Sequence, residues 1–287
     1  MDENTLSALE TLTAGSYRDL FVLLTPAEGL YETIARRITI PVLVVFEDRE
    51  NERETTPDNH FREQDSTITL PCRADGTEDL INLSITLALL DGIISLGCRA
   101  IFLRMASNTG DCTIILREVT ESSLEEWHSV IVRPLHWRRA VRDVLAIALP
   151  LGQMRKRLTG AMYVIGDTKN VLARSTQLFM NPFGGQSREF RDISDSRVRD
   201  TLIEYARLDG AVIIDEEGIV QAAGVHINAD TRNVALLIEG ARHATAAAIT
   251  YETKALAVTV SEKSGTVMVF KAGKVILTVR AGKSPGQ

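Results

Sequence analysis

The 287-residue sequence contains few features of membrane, secreted or zinc-binding proteins. It has three cysteines, and none of them forms a CxxC pair, so neither a zinc ribbon nor a disulfide framework is indicated. The acidic start MDENTLSALE has no basic or apolar region of a secretory signal. The most apolar stretch, residues 80–103, is interrupted by Asp91 and Arg99, which favours a buried helix and strand over a membrane span. We expect a cytoplasmic protein with reduced thiols and no membrane partner.

Basic residues are not in excess, and several catalytic motifs are missing. The chain has 32 Lys and Arg against 38 Asp and Glu, so its net charge of −6 gives no electrostatic footprint for nucleic acid. No HExxH, Walker A, GxGxxG or Ser/His/Asp pattern is present. Apolar residues make up 45% and charged residues 24%, which is typical of a soluble globular protein. We therefore expect no nucleic-acid partner.

The first half alternates between strand and helix patterns. We predict helical structure over residues 4–36, strands at 38–46, 66–71, 99–105 and 112–119, and a helix over 77–97 with Thr77 as its N-cap. The acidic segment 47–65 is interpreted as an exposed loop. This alternation predicts a small α/β domain in residues 1–130.

The second half predicts a further α/β domain, residues 159–287, after a helical connection at 131–158. Its helices are predicted at 135–158, where Pro150 should cause a kink or break, and at 195–207 and 240–254. Its strands are predicted at 160–167, at 211–215 and 219–227 as a hairpin, and in "ALAVTVS", "TVMVF" and "VILTV". The fold class is therefore α/β, with two α/β domains.

The dipeptide Asp209-Gly210 lies between a predicted helix and a buried strand. A glycine there lets the backbone approach a ligand closely, and the carboxylate beside it can hold a divalent metal. The alternative is an ordinary helix-to-strand turn. Asp91-Gly92 has almost the same neighbouring residues, but no partner motif follows it. An Asp-Gly dipeptide alone therefore does not distinguish a ligand site from an ordinary turn.

Arg242 and His243 follow Gly240 at a predicted helix start, in the run GARHATAAAIT. The first turn of a helix has unpaired N–H groups and a positive dipole end, so cations there favour a bound anion. A phosphate suits this position, and arginine offers it a two-pronged donor. The alternative is a solvent-facing arginine and a packed histidine.

Several motifs, taken in order, resemble the catalytic domain of diadenylate cyclases. They are GAMYVIGD, NPFGG, LDGAVIID, AAGVHINAD, GARHATA and VTVSE, and the resemblance covers residues 137–287. It implies a central mixed sheet flanked by helices. The preceding α/β domain is similar to that of archaeal-type members, whose N-terminal half resembles the C-terminal domain of pyruvate kinase. Residues 38–119 fit this by pattern rather than by motif.

This resemblance implies that two ATP molecules are joined into cyclic di-AMP, with Mn²⁺ or Mg²⁺ as cofactor. The implied catalytic residues are Asp209, Arg242 and His243, and the implied metal ligands are Asp209 and Glu262. The implied nucleotide-binding residues are Gly210, Ala211, Ile227, Gly240, Thr245 and Ser261. Since one domain holds one ATP, a homodimer or a larger even homo-oligomer is also implied.

Two positions depart from the family pattern. Ala244 stands where many members have a second arginine, and Leu208 stands where membrane-anchored members have a histidine before Asp-Gly-Ala. The first departure keeps open an alternative, a catalytically inactive ATP-binding regulatory module. A pyruvate-kinase-like allosteric or interaction protein is a further alternative, centred on the N-terminal half.

Overall fold

The computed structural model describes residues 3–14, 19–24, 29–47, 61–74, 76–105, 112–120, 130, 133–154, 160–206, 208–234 and 240–280. Its contacts divide the chain into two compact units, Met1–Glu125 and Glu126–Gln287. In the ranges just given, no helix is both long and apolar enough to cross a membrane.

The N-terminal unit contains a five-stranded sheet in the order β3-β2-β1-β4-β5. The strands are β1 Leu20–Leu24, β2 Val42–Glu47, β3 Ser66–Leu70, β4 Arg99–Met105 and β5 Cys112–Glu118, and the helices are α1 Glu3–Ala14, α2 Leu30–Ala35 and α3 Thr77–Leu90. The first four strands are parallel, whereas β5 runs antiparallel to β4 at the edge. The unit is therefore an α/β domain, as the alternating pattern predicts.

The prediction of helix throughout residues 4–36 is wrong in its middle, because Leu20–Leu24 forms β1. All five residues of β1 are buried, and the strand lies between two parallel neighbours. A parallel strand covered on both faces has a continuous apolar run instead of an alternating one. Such a short run cannot be distinguished from helix by its periodicity.

The boundaries of α3 also differ from the prediction. Gly76, not Thr77, is the N-cap, and the Thr77 hydroxyl instead accepts a hydrogen bond from Arg104 Nη1 at 2.5 Å. The helix ends at Leu90 rather than near residue 97, with Asp91 as its C-cap. The dipeptide Asp91-Gly92, which resembles Asp209-Gly210 in sequence, thus ends a helix. Gly92 has a φ of 74°, which glycine readily adopts after a helix.

A buried carboxylate anchors the chain where it returns to the sheet before β3. Most of the predicted loop 47–65, residues 48–60, lies outside the described residues. The Asp65 side chain is fully buried and accepts hydrogen bonds from Tyr31 Oη at 2.6 Å, Arg62 Nε at 2.7 Å and the Val42 amide at 2.8 Å. Burial raises the pKa of Asp65, but the bonds from Arg62 and Tyr31 outweigh it and hold the pKa below its usual value.

We expect Asp65→Asn to lower the free energy of unfolding by about 3 kcal/mol at pH 7, because it removes one partner of a buried ion pair. The stabilisation from Asp65 is complete above its unfolded pKa of about 3.9 and is lost as pH falls through its lower folded pKa. Urea unfolding at pH 7 and at pH 3 measures both effects. The exposed Glu63→Gln is the control, and an equal loss in both variants would contradict the anchoring role.

The C-terminal unit contains a seven-stranded mixed sheet in the order β12-β11-β10-β6-β8-β9-β7. Its strands are β6 Ala161–Ile165, β7 Ser175–Gln177, β8 Ala211–Ile214, β9 Val220–Ile227, β10 Leu256–Val260, β11 Val267–Lys271 and β12 Lys274–Val279. Its helices are α4 Leu135–Gln153, α5 Thr168–Leu172, α6 Ser196–Tyr205 and α7 Ala241–Glu252. Only β6 and β8 pair in parallel among these strands. The predicted β8–β9 hairpin and the three closing strands are confirmed.

Two helices cover the sheet on opposite faces. The alanine-rich face of α7 packs with Met162, Ala257 and Phe270 in one apolar core. On α4, Gly152 lies next to the Gly265 carbonyl and the Val267 side chain. Because strand residues alternate, Val267 points to the sheet face opposite to the one that α7 covers. The central strands β6, β8 and β10 are therefore covered on both sides.

Pro150 does not break α4, so of the predicted kink or break the break is wrong and the kink stays a prediction. The helix includes Pro150 and ends at Gln153. Proline lacks the N–H that would bond the carbonyl of Ala146, so one internal hydrogen bond is lost, but only three helical residues follow before the helix ends. The remainder of the predicted helix, residues 155–158, lies outside the described residues.

Candidate functional site

Four segments converge at one edge of the C-terminal sheet. Gly160 precedes β6 and Asp209 precedes β8, and because these strands are parallel their amino ends lie at the same edge. Strand β10 is antiparallel to β6, so Glu262 after its carboxyl end reaches that edge too. Arg242, in the first turn of α7, completes the group. The topology therefore brings together residues that are far apart in sequence.

The guanidinium of Arg242 lies between two carboxylates. Its Nη1 donates a hydrogen bond to Glu262 Oε2 at 3.1 Å, and its Nη2 is 3.9 Å from Asp209 Oδ1. The side chains of Asp209 and Glu262 are 88% and 65% exposed, against 34% for Arg242. Exposed ion pairs contribute less than about 1 kcal/mol each, so a ligand can replace them. The predicted metal ligands and the predicted phosphate-binding arginine are thus neighbours.

Gly210 is required by the backbone of β9. It has a φ of 101°, and a Cβ there would lie 2.6 Å from the amide nitrogen of Val225 and 2.7 Å from the carbonyl carbon of Gly224. The space beside this glycine is filled by the backbone of β9. The expectation that the glycine lets a ligand approach closely is therefore replaced by a close approach of β9. The Gly210 amide donates to Asp209 Oδ1 at 2.9 Å, which orients the carboxylate. The turn therefore fixes the position of Asp209.

His243 is buried beneath the start of α7. It is 5% exposed, and its ring meets Phe270 edge-on at a centroid distance of 6.1 Å. Burial, with a smaller contribution from the charge of Arg242, lowers the pKa of His243. The imidazole is therefore neutral at pH 7 and can donate one hydrogen bond without adding charge. Gly240 at the N-cap has a φ of 130°, and a Cβ there would lie 3.4 Å from His243 Nδ1.

The other predicted nucleotide-binding residues differ in exposure. Ala211 and Ile227 are 3% and 6% exposed and belong to the apolar core, so little of either side chain faces solvent. Thr245 and Ser261 are half-buried. The Ser261 hydroxyl accepts a bond from the Ser264 amide at 3.3 Å, in the turn after β10. Their roles toward a nucleotide stay predictions.

Two further glycines shape the site without having been singled out in the sequence. A Cβ on Gly160 would overlap Arg242 Nη1 and come within 3.2 Å of Glu262 Cβ. A Cβ on Gly224 would overlap the ring of Phe179. The only sequence signal for either was a glycine beside or within a strand, which is associated with close backbone or side-chain approach.

The donor set suits a hard divalent cation that is shared with a ligand. Among the described residues, no group of three or more His, Cys, Asp and Glu side chains is placed to hold a metal ion. Asp209 and Glu262 nevertheless present carboxylate oxygens to the same guanidinium. Mg²⁺ commonly binds one or two carboxylates and completes its shell with waters and phosphate oxygens. These two residues fit that arrangement.

Comparison with known proteins places a family domain over this unit. Residues 150–275 match the DAC family, described as DisA bacterial checkpoint controller nucleotide-binding. A diadenylate cyclase of Methanocaldococcus jannaschii is 38% identical over 143 residues, which are 48% of this chain and 45% of that protein. A diadenylate cyclase of Haloferax volcanii is 27% identical over 280 residues, 96% of this chain and 98% of that protein. The match thus spans less than half of the first relative and nearly all of the second.

Two solved structures also resemble the chain. The crystal structure of a double mutant of DacA from Staphylococcus aureus is 21% identical, with a TM-score of 0.36, and the match covers 48% of this chain and 84% of that one. A hypothetical membrane spanning protein from Bacillus cereus is 19% identical, also with a TM-score of 0.36, and the match covers 55% and 78%.

We expect Gly210→Ala to lower the free energy of unfolding by about 3 kcal/mol, because it combines an unfavourable positive φ with overlap onto β9. Gly185→Ala is the matched control, since Gly185 has a φ of 78° but nothing within 4 Å of a Cβ. That control should cost only about 1 kcal/mol of backbone strain. Equal losses in urea unfolding would show that the overlap does not matter.

Proposed function

We propose that the chain belongs to the diadenylate cyclase family through residues 150–275, and that it converts two ATP molecules into cyclic di-AMP and two pyrophosphates. The observation that carries the proposal is the position of Arg242 between the exposed carboxylates of Asp209 and Glu262. This arrangement supplies a phosphate-binding cation beside two metal-binding anions. Adenylyl transfer between nucleotides needs both.

In each half-reaction, the ribose 3′-hydroxyl of one ATP attacks the α-phosphorus of the other. A new P–O bond forms, the bond to pyrophosphate breaks, and the hydroxyl proton leaves to a base. Such a reaction depends on in-line positioning and charge stabilisation more than on covalent chemistry. The exposed Asp209 carboxylate is suited to accept that proton directly or through water. Bound Mn²⁺ or Mg²⁺ would neutralise phosphate charge.

The start of α7 supports phosphate binding. Its first N–H groups have no helical partners, and the helix dipole is positive there. Arg242 can offer two parallel donors to phosphate oxygens, while neutral His243 can offer one without adding charge. Thr245, three residues after Arg242 and so on the same helix face, and Ser261 after β10 are hydroxyl candidates for the same role.

The reaction requires two copies of the site. One domain holds one ATP, so two nucleotides meet only when two domains face each other across a twofold axis. The high exposure of Asp209 is consistent with a site completed by a second copy. Exposed apolar side chains on segments adjoining the Asp209-Gly210 turn, namely Leu178, Met180 and Leu208, support a homodimer or larger even assembly.

Purified protein incubated with ATP and Mn²⁺ or Mg²⁺ should produce cyclic di-AMP, which mass spectrometry detects. Asp209→Asn should reduce the rate by about 100-fold or more, because it removes a charge that acts at the reacting centre. The control is Asp200→Asn, an exposed carboxylate on α6, which should keep the wild-type rate. No cyclic di-AMP from the wild type, or wild-type activity in Asp209→Asn with unchanged circular dichroism, would contradict the proposal.

If two copies form the site, specific activity should fall on dilution at saturating ATP, because the dimer fraction decreases with protein concentration. Sedimentation velocity over the same concentration range measures the association state directly. The two curves should coincide. Full specific activity in samples that sediment as monomer would exclude a shared site.

A further inference from the structure

We infer that Arg242 occupies the metal position in the nucleotide-free protein and leaves it when ATP arrives, so that metal and nucleotide are bound together. The inference deepens the proposed function and rests on it for the identity of the nucleotide. At Asp209 and Glu262, the positive charge of Arg242 is replaced by that of a divalent cation. The inference also assigns a structural role to Gly160.

Arginine and metal compete for the same carboxylate oxygens. Arg242 Nη1 is bonded to Glu262 Oε2 at 3.1 Å, and Nη2 lies 3.9 Å from Asp209 Oδ1. A cation that binds both carboxylates must enter the space between them, where the guanidinium now lies. The guanidinium fills this space and its positive charge also disfavours a cation beside it, so the two compete for one position. Metal binding therefore requires Arg242 to move.

The triphosphate provides a new partner for the displaced arginine. Arg242 is in the first turn of α7, where the helix dipole also favours a phosphate. When its guanidinium turns from Glu262 to phosphate oxygens, the two carboxylates lose their positive neighbour. A divalent cation then compensates them. Metal and ATP thus each favour the binding of the other, which is a positive coupling free energy.

Gly160 leaves room for the resting position of Arg242. A Cβ on Gly160 would overlap Arg242 Nη1, and no positive φ requires glycine there. Space, and not backbone conformation, therefore makes glycine suitable at residue 160. The guanidinium is the end of a flexible side chain, whereas Glu262 Cβ at 3.2 Å needs only a small shift, so Gly160→Ala should move the guanidinium away from Glu262 while keeping its charge.

The test measures Mn²⁺ binding to the full chain without nucleotide, by electron paramagnetic resonance of free Mn²⁺. Arg242→Met should bind Mn²⁺ about 10-fold more tightly than the wild type, within the usual range of coupling between sites. Lys263→Met is the matched control, because it removes the same charge from the exposed residue next to Glu262. It should change the affinity by less than about 2-fold, since exposed charges are well screened.

Gly160→Ala should also tighten Mn²⁺ binding, though less than Arg242→Met does. A second arm adds an ATP analogue with a methylene bridge between the α- and β-phosphates, which cannot react. The analogue should tighten Mn²⁺ binding to the wild type, and this gain should shrink in Arg242→Met. Should Arg242→Met fail to fold, as judged by circular dichroism, Arg242→Gln and Gly160→Ala take its place.

Unchanged or weaker Mn²⁺ binding in Arg242→Met, relative to Lys263→Met, would overturn the inference. The outcome is separate from that of the proposed function, because nucleotide-free Mn²⁺ binding does not depend on turnover. A protein that makes no cyclic di-AMP but shows the expected Mn²⁺ pattern refutes the reaction and keeps the competition at Arg242. An active protein without that pattern refutes only the competition.

Discussion

The parallel pairing of β6 with β8 is the constraint on which the candidate site depends. It places the segments that precede both strands, with Gly160 and Asp209, at one edge of the sheet. The antiparallel neighbour β10 then delivers Glu262 to the same edge. If β6 and β8 were antiparallel, Gly160 and Asp209 would lie at opposite ends of the sheet. A single parallel pair in an otherwise antiparallel sheet thus assembles the charged group.

The assembled group holds two negative charges and one positive charge, and water reaches all three. Such pairs are weak because solvent screens them, so the resting arrangement contributes little to folding stability. In contrast, the Asp65 network of the N-terminal unit is buried and closely hydrogen-bonded, which makes it a structural anchor. The protein therefore has one ionic cluster that stabilises the fold and another whose partners can be exchanged at little cost.

Much of the fold could be predicted from sequence where the periodicity of apolar residues and the turn residues indicate the same structure, as in the β8–β9 hairpin and the closing strands. Prediction was wrong at Leu20–Leu24, because burial on both faces removes the alternation that marks a strand. At the site, Asp209 and Arg242 were recognisable from local motifs, but their proximity depends on sheet topology. The role of Gly160 beside Arg242 could not have been predicted, because the two residues are distant in sequence and only the tertiary structure places them together.

The alanines of α7 have a consequence for the energy of ligand binding. Ala246, Ala247 and Ala248 are completely buried, and the first two belong to the apolar core between the helix and the sheet. Alanine has no side-chain rotamers to lose, so this contact confines the helix without the entropic cost that longer side chains incur. It also lets helix and strands approach closely, which leaves the helix little freedom to tilt. The start of α7 is thus held in place before any phosphate arrives, and little of the binding energy is spent on ordering it.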